Sequence, residues 1–294
     1  MGKAEYVLAL DGLWWGRPQE VVTHASTATA LLERTGERYW LGLTHWVLGI
    51  NCALVGKFDA ALGEEAKCGQ IGSEIGSTRL ETYAAWATGA IRAFMGEAEA
   101  GIDGCRRSLE RSPDPFNTAT ALGWLGYAHL ENGEPAQAIG HLRQAIELVT
   151  RFGHRYTQVL YATYLSEALF LTGDLAEARR VATESLELAT GAKFPYGTAL
   201  SHRLLGRFAQ AKGAFAEARG LLTRAREIFV SIEAPHEVGR TELRLAELAH
   251  TQGDHEALRG HVAEAHALFM RLGLPRYVER TERLSGEWGV PLPS

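Results

Sequence analysis

The sequence predicts an all-α protein, built as an α-solenoid of about seven helix pairs. A glycine recurs at steps of 40, 40, 37, 40 and 40 residues, at Gly56, Gly96, Gly133, Gly173, Gly213 and Gly253. A small residue precedes each of these glycines by seven positions. Between the glycines, apolar residues recur at three- and four-residue spacing, which is the period of an α-helix. A fixed period of this length is typical of stacked helical repeats.

The clearest helix pair lies in residues 119–148. Leu122 and Leu125 share one face of its first helix, and a second apolar stripe follows the turn. Gly133 is expected to end the first helix, because glycine adopts the left-handed conformation that closes a helix. Pro135 is expected to begin the second, because proline is favoured at the first helical position.

Taken in order, the helix pairs are expected at residues 3–35, 37–76, 77–113, 116–153, 154–192, 194–233 and 235–273. Several of the connections contain proline, which disfavours helix in the residue before it. No Ser- or Gly-rich linker divides the chain, so residues 1–294 are expected to form one domain. Residues 275–288 are expected to form a charged capping helix, and the tail from Val290 is expected to fray.

Composition excludes several classes of protein. The net charge of −5 argues against direct nucleic-acid binding, which needs a basic face. No apolar stretch approaches the length of a membrane span, and the N-terminus does not resemble a signal peptide. Cys52, Cys68 and Cys105 give no disulfide framework and no metal-binding pair. These features favour a cytoplasmic protein without membrane contact.

No catalytic motif is found, so the chain is predicted not to be an enzyme. The sequence lacks a phosphate-binding loop, a dinucleotide fingerprint, HExxH and GxSxG. The histidines of the last repeat follow one another at steps of five and six residues, at His250, His255, His261 and His266. A helical metal site prefers a spacing of four. No metal or cofactor is therefore expected.

The pattern of small residue, turn glycine and alanine resembles the tetratricopeptide repeat, although that unit is only about 34 residues long. The longer variety is similar to the C-terminal repeat regions of bacterial signalling proteins that pair an ATPase with a cyclase, kinase or DNA-binding domain. The resemblance implies a right-handed superhelix whose first helices line a concave groove. It also implies further domains of the same polypeptide N-terminal to this chain, which fits the absence of a polar cap before residue 3.

The register of the turn glycines assigns residues to this groove. Its N-terminal half is expected to be aromatic and apolar, with Tyr6, Trp46, Ile50, Tyr83, Trp86 and Tyr127. Its C-terminal half is expected to be charged, with Glu167, Arg203, Arg207, Arg240 and Arg244. Rigid aromatic side chains in a groove can anchor a peptide or a partner helix. The alternative is that they only pack against neighbouring first helices.

The four groove arginines allow two interpretations. Together they could bind carboxylates or phosphates, in part like the carboxylate clamp of some tetratricopeptide proteins. No asparagine matches that clamp here. The alternative is ion pairing within the solenoid, to Glu242 and Glu247 among others.

These observations predict a non-enzymatic interaction or scaffold module. It would bind a peptide or protein segment in its concave groove, as part of a larger bacterial signalling or regulatory protein. The alternative is a receptor for a small molecule or short peptide, closed by the aromatic half of the groove. Replacing Trp46 and Trp86 by alanine tests the two roles of these residues. If they contact a ligand, the substitutions reduce binding; if they only pack in the core, the substitutions reduce stability.

Overall fold

The computed structural model describes residues 1–292, which form fifteen α-helices and no β-strand. In chain order these are α1 (Gly2–Trp14), α2 (Pro18–Thr35), α3 (Arg38–Leu54), α4 (Phe58–Glu74), α5 (Thr78–Phe94), α6 (Ala98–Glu110), α7 (Pro115–Glu131), α8 (Pro135–Arg151), α9 (Arg155–Thr172), α10 (Leu175–Gly191), α11 (Pro195–Ala211), α12 (Phe215–Ser231), α13 (Pro235–Gln252), α14 (His255–Arg271) and α15 (Pro275–Glu287). Helices α1 to α14 form seven consecutive pairs, and α15 follows them. The predicted all-α repeat superhelix is confirmed.

The turn inside each pair is closed by its glycine. At Gly133 the backbone has a φ of 76°, a conformation that costs a side-chain-bearing residue free energy. Its N–H donates to the Leu130 carbonyl at 3.1 Å, and the Glu134 N–H donates to the His129 carbonyl at 2.9 Å. These bonds satisfy carbonyls that the end of α7 leaves unpaired. Pro135 then begins α8, as the sequence predicts.

Within a pair, a large residue of the second helix packs on a small residue of the first. A Cβ added at Gly126 would lie 2.6 Å from the Leu142 side chain, and one added at Gly206 would lie 2.9 Å from Leu222. Both leucines are fully buried. The small residue seven positions before each turn is therefore what allows the two helices to approach.

The second pair departs from this pattern. The residue that takes the place of the large apolar side chain is Glu65, which is fully buried against Gly49. Neither carboxylate oxygen has a hydrogen-bond partner among residues 1–292. Burial, with a smaller contribution from the neighbouring Glu64, raises the pKa of Glu65 well above its ordinary value. Burial therefore favours the neutral carboxylic acid over the carboxylate at this position.

The superhelix closes against itself along a seam, defined here by the contacts of its first three turns with later repeats. Trp14 stacks on Tyr156 of the fifth pair, with ring centroids 4.9 Å apart. The turn at Gly16 abuts Ile232 of the sixth pair. In the same way the turn at Gly56 meets Leu272 after the seventh pair, and the turn at Gly96 meets Arg276 and Tyr277 of α15. The first helices, which lie on the inside of the superhelix, are therefore enclosed by these contacts.

The end of the chain packs onto the superhelix. Trp288 stacks on His250, and the Ser285 hydroxyl donates to the carbonyl of Val290, which is buried. The expectation that the tail frays from Val290 is therefore wrong at that residue, while Pro293 and Ser294 lie outside the described residues. Across the described part of the chain, every helix is too short or too polar to span a bilayer.

Candidate functional site

The inside of the superhelix contains two neighbouring cavities, lined mainly by the first helices of the pairs. Ten of the eleven residues predicted for the groove line them, five in each. We call the first the aromatic cavity; it has a volume of about 160 Å³ and is lined by side chains of the first six pairs. We call the second the ionic cavity; it has a volume of about 170 Å³ and is lined by α9, α11, α13 and α15.

In the aromatic cavity, the predicted aromatic residues both line the space and pack on one another. The Trp46 and Tyr83 rings lie 5.1 Å apart, and the Trp86 ring stacks on Trp124 at 6.3 Å. Trp46, Ile50 and Tyr83 remain partly exposed, whereas Tyr6 and Trp86 are buried. Ligand contact, the first interpretation of these residues, therefore suits Trp46, Ile50 and Tyr83. Packing against neighbouring helices, the second interpretation, suits Tyr6 and Trp86.

Two donors in this wall have no protein partner. The indole N–H groups of Trp46 and Trp86 are buried, and neither meets an acceptor within residues 1–292. A buried donor without a partner costs free energy, so such groups are uncommon in folded proteins. Burial also raises the pKa of Tyr6 and of Tyr83 above the ordinary range, so both phenols stay neutral.

Tyr127 is the one predicted groove residue that lines neither cavity. It is fully buried, with its ring 4.6 Å from Tyr164 and 5.1 Å from Phe94. Arg240 of α13 donates to its hydroxyl at 2.8 Å. The prediction that Tyr127 faces the groove is wrong, because Arg240 of a later repeat lies over it. The position of a residue within its own repeat does not reveal such a contact.

The deepest ion pairs of the ionic cavity involve two glutamates that sequence analysis missed. Arg203 donates to Glu237, and both side chains are almost completely buried. Arg240 donates to Glu131 at 2.6 Å. Although burial alone would raise the pKa of Glu237, Arg203 and Arg240 hold it well below its ordinary value. Glu131 lies 109 positions before Arg240, so only the closure of the superhelix brings them together.

The outer part of the ionic cavity is centred on Glu167. Arg207 donates to this carboxylate at 2.8 Å, and Arg244 lies 3.6 Å from it. Burial opposes ionisation, but the guanidinium groups of Arg207, Arg244 and Arg240 lower the pKa of Glu167 to about 2. Arg244 also donates to Glu247 at 2.9 Å.

The four groove arginines therefore do not form an open clamp. Each of Arg203, Arg207, Arg240 and Arg244 is paired with at least one carboxylate, which is the alternative interpretation. Glu247 takes part, as expected. Glu242 does not, because it pairs with Arg226 and His261.

A fifth arginine of this cavity, Arg280, was not predicted. It borders the ionic cavity from α15, and its side chain is exposed to solvent. Among residues 1–292, no carboxylate lies within ion-pairing distance of Arg280, whereas its four neighbours are all paired. The charged sequence of residues 275–288 suggested a solvated cap, and only the packing of α15 shows that one of its exposed arginines also borders the cavity.

Neither cavity is suited to a metal ion. Within residues 1–292, no group of three or more His, Cys, Asp or Glu side chains is placed to hold one. The ionic cavity instead combines guanidinium and carboxylate groups, a chemistry that recognises charged organic groups by paired hydrogen bonds.

A family model of the tetratricopeptide repeat matches residues 119–144 and 160–183. A search of curated sequences found no significant match. The fold is similar to that of a Rap protein solved in complex with competence and sporulation factor (TM-score 0.72, 13% identity), covering 98% of this chain and 82% of that one.

Two further solved structures share the fold. One is aspartyl phosphate phosphatase F from Bacillus subtilis (TM-score 0.54, 11% identity), covering 98% of this chain and 79% of that one. The other is a signal transduction ATPase with numerous domains from Pyrococcus horikoshii, which has a tetratricopeptide repeat sensor (TM-score 0.56, 15% identity). That similarity covers 88% of this chain but only 42% of the longer protein.

Proposed function

We propose that this chain is a non-enzymatic interaction module that holds a peptide segment inside its superhelix, as part of a larger bacterial signalling or regulatory protein. The observation that carries the proposal is the pair of cavities on the inner wall, one aromatic and one ionic. A peptide presents apolar and charged side chains at regular spacing, and neighbouring cavities of opposite character suit such a ligand.

The size of the cavities favours side chains over a drug-sized molecule. Each cavity measures about 160–170 Å³, whereas sites for small molecules and cofactors run to roughly 300–1,000 Å³. A space of this size suits one or two side chains of a longer ligand. The unpartnered indole N–H groups of Trp46 and Trp86 supply donors that a peptide carbonyl would satisfy.

The structural comparisons support the same proposal. A Rap protein with this fold forms a complex with competence and sporulation factor, and the Pyrococcus horikoshii protein uses a tetratricopeptide repeat sensor within a multidomain ATPase. The second case is also the precedent for a larger parent protein. One neighbour is named a phosphatase, but the inner wall here presents mainly ion-paired arginines and neutral aromatic residues, which suit binding of a ligand.

The test is a selection of random ten-residue peptides on the immobilised chain, followed by photo-crosslinking of the selected peptides. Crosslinks are expected on the first helices that line the cavities. Ile50→Trp fills the aromatic cavity and is expected to abolish binding. Met270→Trp, at an exposed position of α14, is the control and is expected to bind normally. Crosslinks confined to the outer second helices, or equal binding by both variants, would overturn the proposal.

A receptor for a small molecule is the second candidate, favoured by the predominantly apolar wall of the aromatic cavity. Native mass spectrometry of the purified chain, compared with the denatured chain, separates the two candidates. A retained mass of a few hundred daltons that is lost on denaturation would favour the receptor. A bare chain that binds selected peptides would favour the interaction module.

A further inference from the structure

The charges of the ionic cavity do not balance. Five arginines line it, and four glutamates pair with them: Arg203, Arg207, Arg240, Arg244 and Arg280 against Glu131, Glu167, Glu237 and Glu247. The excess is one positive charge. It resides at Arg280, since the other four guanidinium groups are each bonded to a carboxylate.

The arginines of this cavity lie close enough to lower one another's pKa. Burial lowers the pKa of Arg207 to about 10, and the nearby Arg244 charge adds to that effect despite the ion pair with Glu167. Partial burial and the Arg244 charge likewise lower the pKa of Arg280, whose side chain still reaches solvent. Positive charge that is crowded and partly removed from water is unfavourable, so a bound anion would relieve it.

Helix α15 is held so that Arg280 stays at this cavity. The Tyr277 hydroxyl donates to Glu131 at 3.1 Å, which ties the start of the helix to the cavity floor. Trp288, at the other end, lines the cavity and stacks on His250. The backbone of Arg280 is therefore held beside the cavity, so its guanidinium can reach a ligand there without a movement of α15.

We propose that Arg280, with Arg244 beside it, binds one carboxylate of the peptide held inside the superhelix. This inference rests on the proposed function and adds the chemistry of the ligand: an acidic peptide, whose apolar side chain enters the aromatic cavity while its carboxylate meets Arg280. A carboxylate matches the single excess charge, whereas a phosphate group would bring about two negative charges. A cavity of about 170 Å³ also suits a carboxylate with the few atoms attached to it.

The first test uses benzoate as a minimal carboxylate and benzamide as its neutral match, at constant ionic strength. Binding is followed by calorimetry, with helicity checked by circular dichroism. Benzoate is expected to bind and benzamide to fail. Arg280→Gln is expected to weaken benzoate binding at least tenfold, while Arg283→Gln, an equal change of charge at a residue of α15 outside the cavity lining, leaves it unchanged. Equal binding by the two variants, or equal binding of the two probes, would overturn the inference.

The second test uses the peptides selected on the wild-type chain. Replacing their acidic residue by its amide is expected to cost about tenfold in affinity for the wild type and nothing for Arg280→Gln. Peptides that bind inside the superhelix with no acidic requirement would overturn this inference and leave the proposed function intact. Benzoate binding that depends on Arg280, without any peptide binding, would instead overturn the proposed function and leave an anion site.

Discussion

Single residues in this protein are informative where they break the repeat. Glu65 stands where the fourth and sixth pairs have Leu142 and Leu222, and it presses a carboxylic acid against Gly49. Repeat alignment identifies the position as a core one. What it cannot show is that no partner reaches the carboxyl group, because that depends on every side chain packed around it.

Glu65→Leu is expected to stabilise the fold at pH 7 by about 1–3 kcal/mol, since it removes an unsatisfied buried polar group and restores the side chain used in other repeats. The folded pKa lies above the ordinary value of 4.5. The wild-type chain should therefore lose stability as the pH rises above about 4.5, a loss that the variant lacks. Urea unfolding between pH 5 and 9 measures both effects. Lower stability of the variant at pH 8 would contradict this account of Glu65.

Glu167 is expected to have the opposite pH dependence. Its pKa falls from 4.5 to about 2 in the folded chain, so its contribution is present above pH 4.5 and is lost as the pH falls through about 2. A shift of that size corresponds to about 3 kcal/mol. Glu167→Gln should therefore be less stable than wild type at pH 7 and nearly equal to it near pH 2. Chemical denaturation across this range, with exposed Glu184→Gln as the control, tests the assignment.

At the scale of elements, the sequence is a good guide to this fold. The turn glycines and helix-starting prolines are local signals, so the helix pairs of the structure fall close to their predicted positions. The inner wall was also largely predictable, because a fixed offset from the turn glycine selects one face of each first helix. Arg280 was missed for a physical reason: α15 lies beyond the last turn glycine, and no periodic register extends to it.

Close packing between first helices makes Gly123 of α7 a critical position. A Cβ at this residue would lie 2.2 Å from the ring of Tyr161, which is fully buried on α9. Gly123→Ala is therefore expected to destabilise the chain by about 1–3 kcal/mol through overpacking. Gly140→Ala is the matched control: this helical glycine has open space around it, and alanine there should add up to about 1 kcal/mol. Thermal unfolding of the two variants should shift in opposite directions, and a stabilised Gly123→Ala would show that α7 and α9 are less tightly packed.

At the scale of the whole molecule, closure is the property that sequence analysis could not predict. The repeat pattern specifies how each pair packs on the next. The pitch that brings Trp14 onto Tyr156, or Glu131 onto Arg240, accumulates from small rotations over several repeats. The buried state of Tyr127 and the pairing of Arg240 both follow from that closure. This is why the groove assignment of Tyr127 failed and why the partner of Arg240 could not be predicted.

The seam is expected to determine how open the groove is. The double variant Trp14→Ala, Leu272→Ala removes the stacking on Tyr156 and the contact at the Gly56 turn, while the pairs themselves remain intact. Because each repeat packs chiefly on its neighbours, helicity should be retained. The radius of gyration from small-angle X-ray scattering should rise, and hydrogen exchange in α5 and α7 should quicken.

Met270→Ala, an exposed position near Leu272, is the control for the seam and should leave both measurements unchanged. If the double variant keeps the wild-type radius and exchange rates, the curvature is set by neighbouring pairs alone, and a peptide would have to enter a permanently closed superhelix. If the radius rises, the seam is a barrier between closed and open forms. Selected peptides should then associate faster with the double variant than with the wild-type chain.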